Sequence, residues 1–260
     1  LENPLSTEHG EMRVSLWPGL VEVLRFNQRR QQDRVRIFEV GTRFAMEDGR
    51  LVESQAIAGL VTGTALPEQW GTAKRAVDFY DLKSDVEGLF ALTGRQGGIS
   101  YVARRHDCLH PGRSAAVFDG GECVGWIGQL QPELARALEL REAPFVFELA
   151  IEPSFHSEVP VFREISKYPA IRRDLALVVD EAVTLDELRE SVNLAAKGLL
   201  RELAVFDVYR GKGVEAGRKS IALGLILQET SRTLTDAEAD AVVAAVIERV
   251  KGDLKAGIRE

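Results

Sequence analysis

Disulfide-forming cysteines, long apolar runs and an excess of positive charge are all missing from this sequence. Only 2 of its 260 residues are cysteines, too few for a disulfide framework, which favours a reducing compartment. No apolar run approaches the roughly 18 residues of a membrane-spanning helix, and the first residues, which lack an initiator Met, do not read as a signal peptide. We therefore expect part of a longer cytoplasmic protein with no membrane partner.

The charge balance limits the class of partner. The formal net charge is −7, so the chain has no generally basic surface that could hold nucleic acid by bulk electrostatics. Most of this negative charge lies in the first 160 residues. Any contact with RNA must therefore be local, and the nearly neutral second part of the chain accommodates it more easily.

The rest of the composition is that of a globular protein with two domains. Hydrophobic residues make up 45% and charged residues 28% of the chain, and this length is enough for two cores. Prolines cluster between Pro144 and Pro169, and the hydrophobic periodicity lapses over 154–160. We place a domain boundary there, which predicts one domain over 1–160 and another over 161–260.

The first domain has the pattern of an antiparallel sheet with a few helices. Turn signals at Asp48-Gly49 and Asp119-Gly120-Gly121 each join two apolar runs, as in β-hairpins. The regular strand–helix alternation of a doubly wound fold is absent. Spacing predicts helices over 18–27, 81–93 and 132–138, and strands over 35–40, 56–61, 114–118, 123–130 and 145–151.

The second domain has the order β-α-β-β-α-β. Two capping boxes, Thr184 with Glu187 and Thr235 with Glu238, open its helices. The helices are predicted to run to about residues 197 and 251, with strands over 173–179, 204–209, 220–227 and 256–259. This order is that of a ferredoxin-like, split βαβ fold.

One strand of this second domain carries the most informative side chains. Because side chains alternate along a strand, Phe206 and Val208 are expected to face the helices, while Asp207 and Tyr209 stand on the open face of the sheet. An exposed aromatic ring stacks on an unpaired base, and a neighbouring carboxylate accepts hydrogen bonds from guanine. Ser220, on the partner strand, can add a hydrogen bond. The alternative is a solvated sheet face without a ligand.

Basic residues surround the same sheet at strand ends and in loops. Phosphate contacts position an RNA strand without reading its sequence, and these residues, taken as a group, can supply them. They are Lys167, Arg172, Arg173, Arg210, Lys212, Arg218, Lys219 and Arg232.

A second, weaker candidate site lies in the first domain. His106, Asp107, Cys108, His110 and Cys123 include the usual zinc-ligand types, but their spacing matches no pattern of paired ligands. The run from His110 is more simply a turn before a strand. A stand-alone enzyme that uses the His106–His110 region, with or without a metal, stays open as an alternative. We assign no catalytic residue and no metal ligand.

Several motifs in order carry a family resemblance over essentially the whole chain. Segments 168–176 (YPAIRRDLA), 206–211 (FDVYRG), 217–220 (GRKS) and 232–238 (RTLTDAE) resemble the ferredoxin-fold anticodon-binding domain of the phenylalanyl-tRNA synthetase beta-subunit family. Segments 3–6 (NPLS), 12–20 (MRVSLWPGL), 38–41 (FEVG) and 110–112 (HPG) resemble the catalytic-like module of the same family.

The resemblance implies an α+β fold, in which an antiparallel class II synthetase-like sheet with helices is followed by a ferredoxin-like βαββαβ domain. It implies alpha-subunit partners in an (αβ)2 heterotetramer that joins phenylalanine to tRNA(Phe) using ATP and Mg²⁺. The class II module is expected to be inactive, with no cofactor of its own. A working site needs phosphate-clamping arginines, whereas Phe162-Arg163-Glu164 lacks the spacer of the family's motif and Gly125-Trp126-Ile127-Gly128 is not followed by Arg in register.

The resemblance also implies roles for individual residues. Anticodon contact falls on Asp207, Tyr209 and Ser220, with Arg210 and Lys219 nearby. A role in the subunit interface falls on the helix that begins near residue 15, with Trp17 as the anchor between Leu16 and Leu20. Two alternatives remain: Trp17 belongs to the core, and the second domain is an assembly module that binds protein instead of RNA.

Overall fold

The structure, a computed structural model, describes residues 10–94, 98–155, 162 and 165–259. The chain divides into two compact units, 1–161 and 162–260. Both units combine antiparallel sheets with a few helices, so the predicted α+β class is confirmed. Of the family segments, 3–6 lies outside the described residues.

The first unit is built on six antiparallel strands in the order β1-β2-β6-β5-β4-β3. The elements are α1 (Trp17–Gln28), β1 (Val35–Glu47), β2 (Arg50–Thr62), α2 (Phe79–Leu92), β3 (Ile99–Ala103), β4 (Leu109–Asp119), β5 (Glu122–Leu130), α3 (Pro132–Ala137), β6 (Phe145–Ala150) and α4 (Ile151–Ser154).

Both faces of this sheet are covered, which explains the nearly continuous apolar character of β6. Val146 packs with α1 and α3 on one face, whereas Phe145, Phe147 and Leu149 pack with α2 on the other. A strand buried on both faces needs apolar side chains at successive positions. The first unit is therefore a sheet between two helical layers.

Two elements of the first unit differ from the sequence prediction. β3 was not predicted; it is a five-residue strand that pairs with β4 and stands last in the strand order of the sheet. The turn predicted at His110-Pro111-Gly112 before a strand is wrong, because β4 already begins at Leu109 and its register shifts between Leu109 and Ser114. The proline therefore sits in a strand irregularity, where its missing N–H costs no ladder bond.

The second unit is a four-stranded sheet with two helices. Its elements are β7 (Ile171–Asp180), α5 (Leu185–Ala196), β8 (Leu200–Tyr209), β9 (Arg218–Leu227), α6 (Asp236–Leu254) and β10 (Gly257–Ile258), and the strand order is β10-β7-β9-β8. This is the predicted ferredoxin-like βαββαβ arrangement. None of the helices in the described part of the chain has the length and apolar character of a membrane span.

Both predicted capping boxes are present at the helix starts of the second unit. The Thr184 hydroxyl accepts from the amide of Glu187, and Thr235 does the same for Glu238. Arg232 adds two hydrogen bonds to Glu238, at 2.6 and 2.9 Å, and together with the Thr235 contacts lowers the pKa of Glu238 to about 2. This carboxylate therefore stays charged and keeps the first turn of α6 in place.

One buried carboxylate joins three elements of the first unit. Glu148, on β6, accepts from the Ser15 hydroxyl at 2.8 Å, from the amide of Leu16 at 2.7 Å and from Arg43 of β1 at 3.0 Å. Its side chain is only 7% exposed. A buried charge is tolerated only when it is paired and hydrogen-bonded, so the approach of α1 to the sheet depends on this group.

Replacing Glu148 with Ala is expected to lower the free energy of unfolding of the first unit by about 3 kcal/mol, because it leaves buried donors without an acceptor. All 3 tryptophans lie in this unit, so urea unfolding followed by tryptophan fluorescence reports it selectively. The matched control is Glu22→Ala, which removes a surface ion pair with Arg25 and should change stability by less than about 1 kcal/mol. Equal effects of the two substitutions would contradict a central role for Glu148.

Candidate functional site

Among the residues that the structure describes, helices α5 and α6 cover one face of the second unit's sheet, and no helix packs on the other face, here called the open face. On β9, Ile221 and Leu223 belong to the core beneath α5 and α6, so the alternating residues Ser220, Ala222 and Gly224 point the other way. Because these side chains are small, they leave a shallow depression along the middle of the open face. Larger side chains from neighbouring strands can therefore lie across it.

Asp207 and Tyr209 of β8 stand on this open face. Asp207 pairs in register with Ala222, and Tyr209 pairs with Ser220; paired residues of an antiparallel ladder project to the same side. Tyr209 keeps 36% of its surface exposed, whereas Ser220 is 5% exposed. The three predicted contact residues therefore lie together, with an aromatic ring and a carboxylate above a buried hydroxyl.

The Tyr209 ring is held on both sides. Its hydroxyl is 3.3 Å from the carbonyl of Lys212, and it lies so close to Gly211 that a Cβ there would be 2.8 Å from the hydroxyl oxygen. The guanidinium of Arg259 sits over the ring, 4.7 Å from its centroid, a favourable cation–π geometry. The ring is thus positioned before any ligand binds.

Arg259 reaches this ring from the opposite edge of the sheet. It follows β10, and its amide donates to the carbonyl of Ala176 on β7 at 3.0 Å. Sequence reasoning missed this residue, because only the strand order β10-β7-β9-β8 shows that the chain end borders the same face as Tyr209. The low floor of β9 lets the two long side chains meet.

The two cations predicted beside Tyr209 converge instead on Glu181. Arg210 binds its carboxylate at 2.7 and 3.0 Å, which lowers the pKa of Glu181, and the Lys219 amine donates to its backbone carbonyl at 2.8 Å. Lys219 also pairs in register with the buried Val179. Lys219 therefore projects to the helix-covered side of the sheet, and its predicted place beside Tyr209 is corrected.

Three other basic residues of the predicted phosphate-binding group stabilise the fold. Arg173 donates to Asp236 and Asp240 of α6 at 2.6 and 2.8 Å, and Arg232 belongs to the capping box described above. Arg218 donates to two backbone carbonyls, those of Val178 and Lys255. An RNA phosphate would have to displace these partners. We therefore no longer expect these three arginines to contact phosphates.

The alternation of side chains predicted that Phe206 faces the helices, and this prediction is wrong. The β8–β9 register shifts between Val205 and Asp207, so Phe206 is the extra residue of a β-bulge. Its side chain is 54% exposed and lies with the guanidinium of Arg172 5.4 Å from its ring centroid. The signal in the sequence was the run of four apolar residues, 203–206, before Asp207, which breaks the period of two.

The His106–His110 region forms packing and turn contacts. The His106 ring lies between Trp17 and Trp126, with centroids 5.3 and 4.9 Å away, and its Nδ1 accepts from the amide of Cys108 at 3.2 Å. His110 Nδ1 likewise accepts an amide two residues on, at 3.0 Å. Across the residues that the structure describes, no group of three or more His, Cys, Asp or Glu side chains could hold a metal ion.

The predicted interface residues of α1 are core residues. Leu16, Trp17 and Leu20 are 1%, 8% and 3% exposed, and the Trp17 indole donates to the carbonyl of Phe147 at 3.0 Å. The chain itself covers these side chains, so the interface role is corrected in favour of the alternative that placed Trp17 in the core. The helical period places other apolar residues of α1 outside.

Comparison with known proteins gives the family. A model described as the phenylalanyl tRNA synthetase beta chain CLM domain matches residues 1–151, and one described as the ferredoxin-fold anticodon binding domain matches residues 166–259. The chain belongs to the phenylalanyl tRNA synthetase beta chain family. Its second unit is therefore an anticodon-binding domain of the ferredoxin fold, and three of its predicted contact residues, Asp207, Tyr209 and Ser220, meet on the open face.

Curated relatives named phenylalanine–tRNA ligase beta subunit align with the whole chain. Those of Methylococcus capsulatus, Pseudomonas putida and Coxiella burnetii are 44%, 42% and 42% identical over 260 residues, which is 100% of this chain and 33% of each relative. The chain thus spans about a third of the length of these relatives. The comparisons support the family reading, not the alternative of a stand-alone enzyme in the His106–His110 region.

The environment of His106 predicts a pH dependence of the first unit. Burial lowers the pKa of His106 below its ordinary value of 6.5, against the opposing charges of Asp107 and Glu148. The unfolded state therefore binds a proton at His106 more readily than the folded state does. As a result, the free energy of unfolding of this unit should fall as the pH decreases from above 6.5 towards the lower pKa that His106 has in the folded state. We expect the free energy of unfolding of His106→Gln to lack the part of the pH dependence that comes from His106.

The measurement is urea unfolding followed by tryptophan fluorescence at pH values between about 5 and 7, the range in which histidines titrate. The difference in free energy of unfolding between the wild type and His106→Gln should change with pH across this range. A constant difference would contradict burial of the neutral imidazole as the source of the dependence.

Proposed function

We propose that this chain is the non-catalytic part of a phenylalanine–tRNA ligase beta subunit that binds the anticodon of tRNA(Phe) on the open face and assembles with alpha chains through its first unit. The observation that carries this proposal is the placement of Asp207 and Tyr209 side by side on the uncovered face of an anticodon-binding domain. We place the catalytic site, with its ATP and Mg²⁺, outside this chain, in a cytoplasmic (αβ)2 heterotetramer.

The chemistry of the open face suits an unpaired guanine. The exposed part of the Tyr209 ring offers a stacking surface, and base–aromatic stacking contributes about 1–3 kcal/mol per base. The Asp207 carboxylate is an acceptor, and the Watson–Crick edge of guanine presents N–H donors to such a group. Ser220, paired with Tyr209, adds a hydroxyl at the floor of the same place.

The local charge of the open face is compatible with RNA although the whole chain is acidic. Arg259 and Arg172 each place a guanidinium on this face, beside Tyr209 and Phe206. Such groups contact phosphates or base edges at short range. Binding therefore does not require a basic total charge, and it should weaken with salt.

The first unit supports a role without catalysis. In β5, a Cβ on Gly125 would lie 2.1 Å from the carbonyl oxygen of Glu148, and one on Gly128 would lie 2.7 Å from that of Arg113. These glycines thus permit close packing of neighbouring strands, and they do not form a loop that could receive a phosphate. In the other candidate motif, the side chain of Phe162 is 87% exposed, and residues 163 and 164 lie outside the described residues.

Apolar side chains on the surface of the first unit support assembly with another chain. Phe38 and Val40 on the edge strand β1 are 73% and 54% exposed, and Val23 and Phe26 on α1 are 45% and 55% exposed. Edge strands and exposed apolar groups are common sites of association between chains. These residues replace the buried ones of α1 in the proposed interface with an alpha chain.

Tyr209→Ala is expected to weaken binding of tRNA(Phe) by about 5- to 150-fold, the equivalent of one lost stack. Wild-type affinity should also fall when the first anticodon guanine is replaced, and Asp207→Asn should reduce this discrimination. The measurement is titration of labelled tRNA at fixed low and physiological salt, with Tyr80→Ala, an exposed tyrosine of the first unit, as the control. If neither Tyr209→Ala nor the guanine replacement matters, the domain is not an anticodon reader.

Phe38→Glu, introduced into the full-length beta subunit, is expected to abolish or strongly reduce co-purification with the alpha chain, because it places a charge in an apolar contact. Size-exclusion chromatography with light scattering after co-expression measures the assembly. Leu92→Glu is the matched control, since Leu92 is 84% exposed at the end of α2. Wild-type assembly in the Phe38 variant would exclude this strand from the interface.

A further inference from the structure

The β-bulge in β8 changes what the open face can bind. Without it, alternation would direct Phe206 towards the helices and only Asp207 and Tyr209 would stand on the face. With the extra residue, Val205 still packs against the core cluster under the helices. The side chain of Phe206 instead points to the open face and is 54% exposed. Bulges commonly re-aim a side chain next to a functional site.

The guanidinium of Arg172 places a positively charged hydrogen-bond donor beside the phenyl ring of Phe206. Its Nε donates to Asp174 at 2.7 Å, and its guanidinium lies over Gly224, where a Cβ would be only 3.0 Å away. The guanidinium is thus fixed in direction by a carboxylate on its own strand and lowered onto the sheet by a glycine. Among the described residues, its two terminal nitrogens make no hydrogen bond within the chain.

We propose that Phe206 and Arg172 form a second nucleobase site on the open face, which takes another unpaired nucleotide of the RNA loop that contacts Tyr209. This inference rests on the proposed function. The base stacks on the exposed surface of Phe206, and the terminal nitrogens of Arg172 donate to acceptor atoms on its edge.

The two places on the open face select bases by opposite chemistry. Beside Tyr209 the charged group is the Asp207 carboxylate, which accepts from N–H groups of a base. Beside Phe206 the group that faces the ring is the Arg172 guanidinium, which only donates and therefore contacts the carbonyl oxygens or ring nitrogens of a base edge, not its N–H groups. The carboxylate of Asp174 accepts a hydrogen bond from the Nε of Arg172, which leaves the two terminal nitrogens of the guanidinium to donate to a base.

The spacing of the two places fits one RNA strand. Phe206 and Tyr209 are three residues apart on β8, which corresponds to roughly 10 Å at about 3.3 Å per residue. Bases of a single-stranded loop are splayed out when proteins read them. Nearby nucleotides of one loop can therefore occupy both places.

The test uses the full-length beta subunit with its alpha chain and tRNA(Phe) carrying the fluorescent base 2-aminopurine at one anticodon-loop position at a time. We expect Tyr209→Ala and Phe206→Ala to abolish the stacking-dependent fluorescence change at two different positions. Phe206→Ala should also weaken binding by about 5- to 150-fold. Phe206→Trp should preserve both signals, whereas Phe206→Leu, which keeps an apolar side chain without a ring system, should lose them.

A second set of variants tests Arg172 without disturbing the phenyl ring. Arg172→Gln should weaken binding and alter the preference for the base at the Phe206 position when that base is varied. The matched control is Arg189→Gln, since Arg189 lies on α5, on the helix-covered side, and is half exposed. Equal losses for the two arginine variants would show general electrostatics only and would overturn the proposed contact.

The outcomes separate this inference from the function on which it rests. If Tyr209→Ala changes binding and fluorescence while Phe206→Leu and Phe206→Ala leave every position as in the wild type, the second site is overturned and the anticodon proposal stands. If neither Tyr209 nor Phe206 variants affect the RNA, the proposed function fails, and the second site fails with it. If Phe206→Ala does not fold, Phe206→Leu and Arg172→Gln decide the question.

Discussion

One-sided packing of the sheet in the second unit is the constraint on which the proposed RNA contacts depend. Helices α5 and α6 bury one face, and the other remains available because the strands carry small side chains along its middle, with Ala222 and Gly224 on β9. That low floor allows Arg259 to reach Tyr209 from the far edge of the sheet. An additional helix or larger floor residues would fill the space in which these side chains meet.

The first unit shows the opposite solution for a sheet of the same antiparallel type. Both of its faces are covered by helices, and β6 runs through the middle with the buried carboxylate of Glu148 as its polar link to α1 and β1. In the part of the chain that the structure describes, helices therefore cover the central strands of this sheet on both sides. What it offers instead is its edge and the outer side of α1, where Phe38 and Phe26 are exposed.

Several arginines of this acidic protein form ion pairs within their own unit. Arg173, Arg232 and Arg210 each meet carboxylates of their own unit, and the resulting ion pairs maintain helix starts and the sheet end near Glu181. The guanidiniums on the open face differ in that they lie against aromatic rings, Arg172 beside Phe206 and Arg259 beside Tyr209. Ring and cation together, more than net charge, define a surface suited to unpaired bases.

Much of the fold was predictable because its signals are local. Capping boxes, turn residues and hydrophobic period depend on residues within a few positions of one another, and they located both helices of the second unit, two hairpins of the first and the alternation that brings Asp207 beside Tyr209. The tertiary structure decided what depends on distant residues. The bulge that turns out Phe206 arises from pairing with β9, the approach of Arg259 from the order of the strands, and the burial of Trp17 from the sheet that covers it. A sequence shows which side chains alternate, but only the packed chain shows which of them it covers.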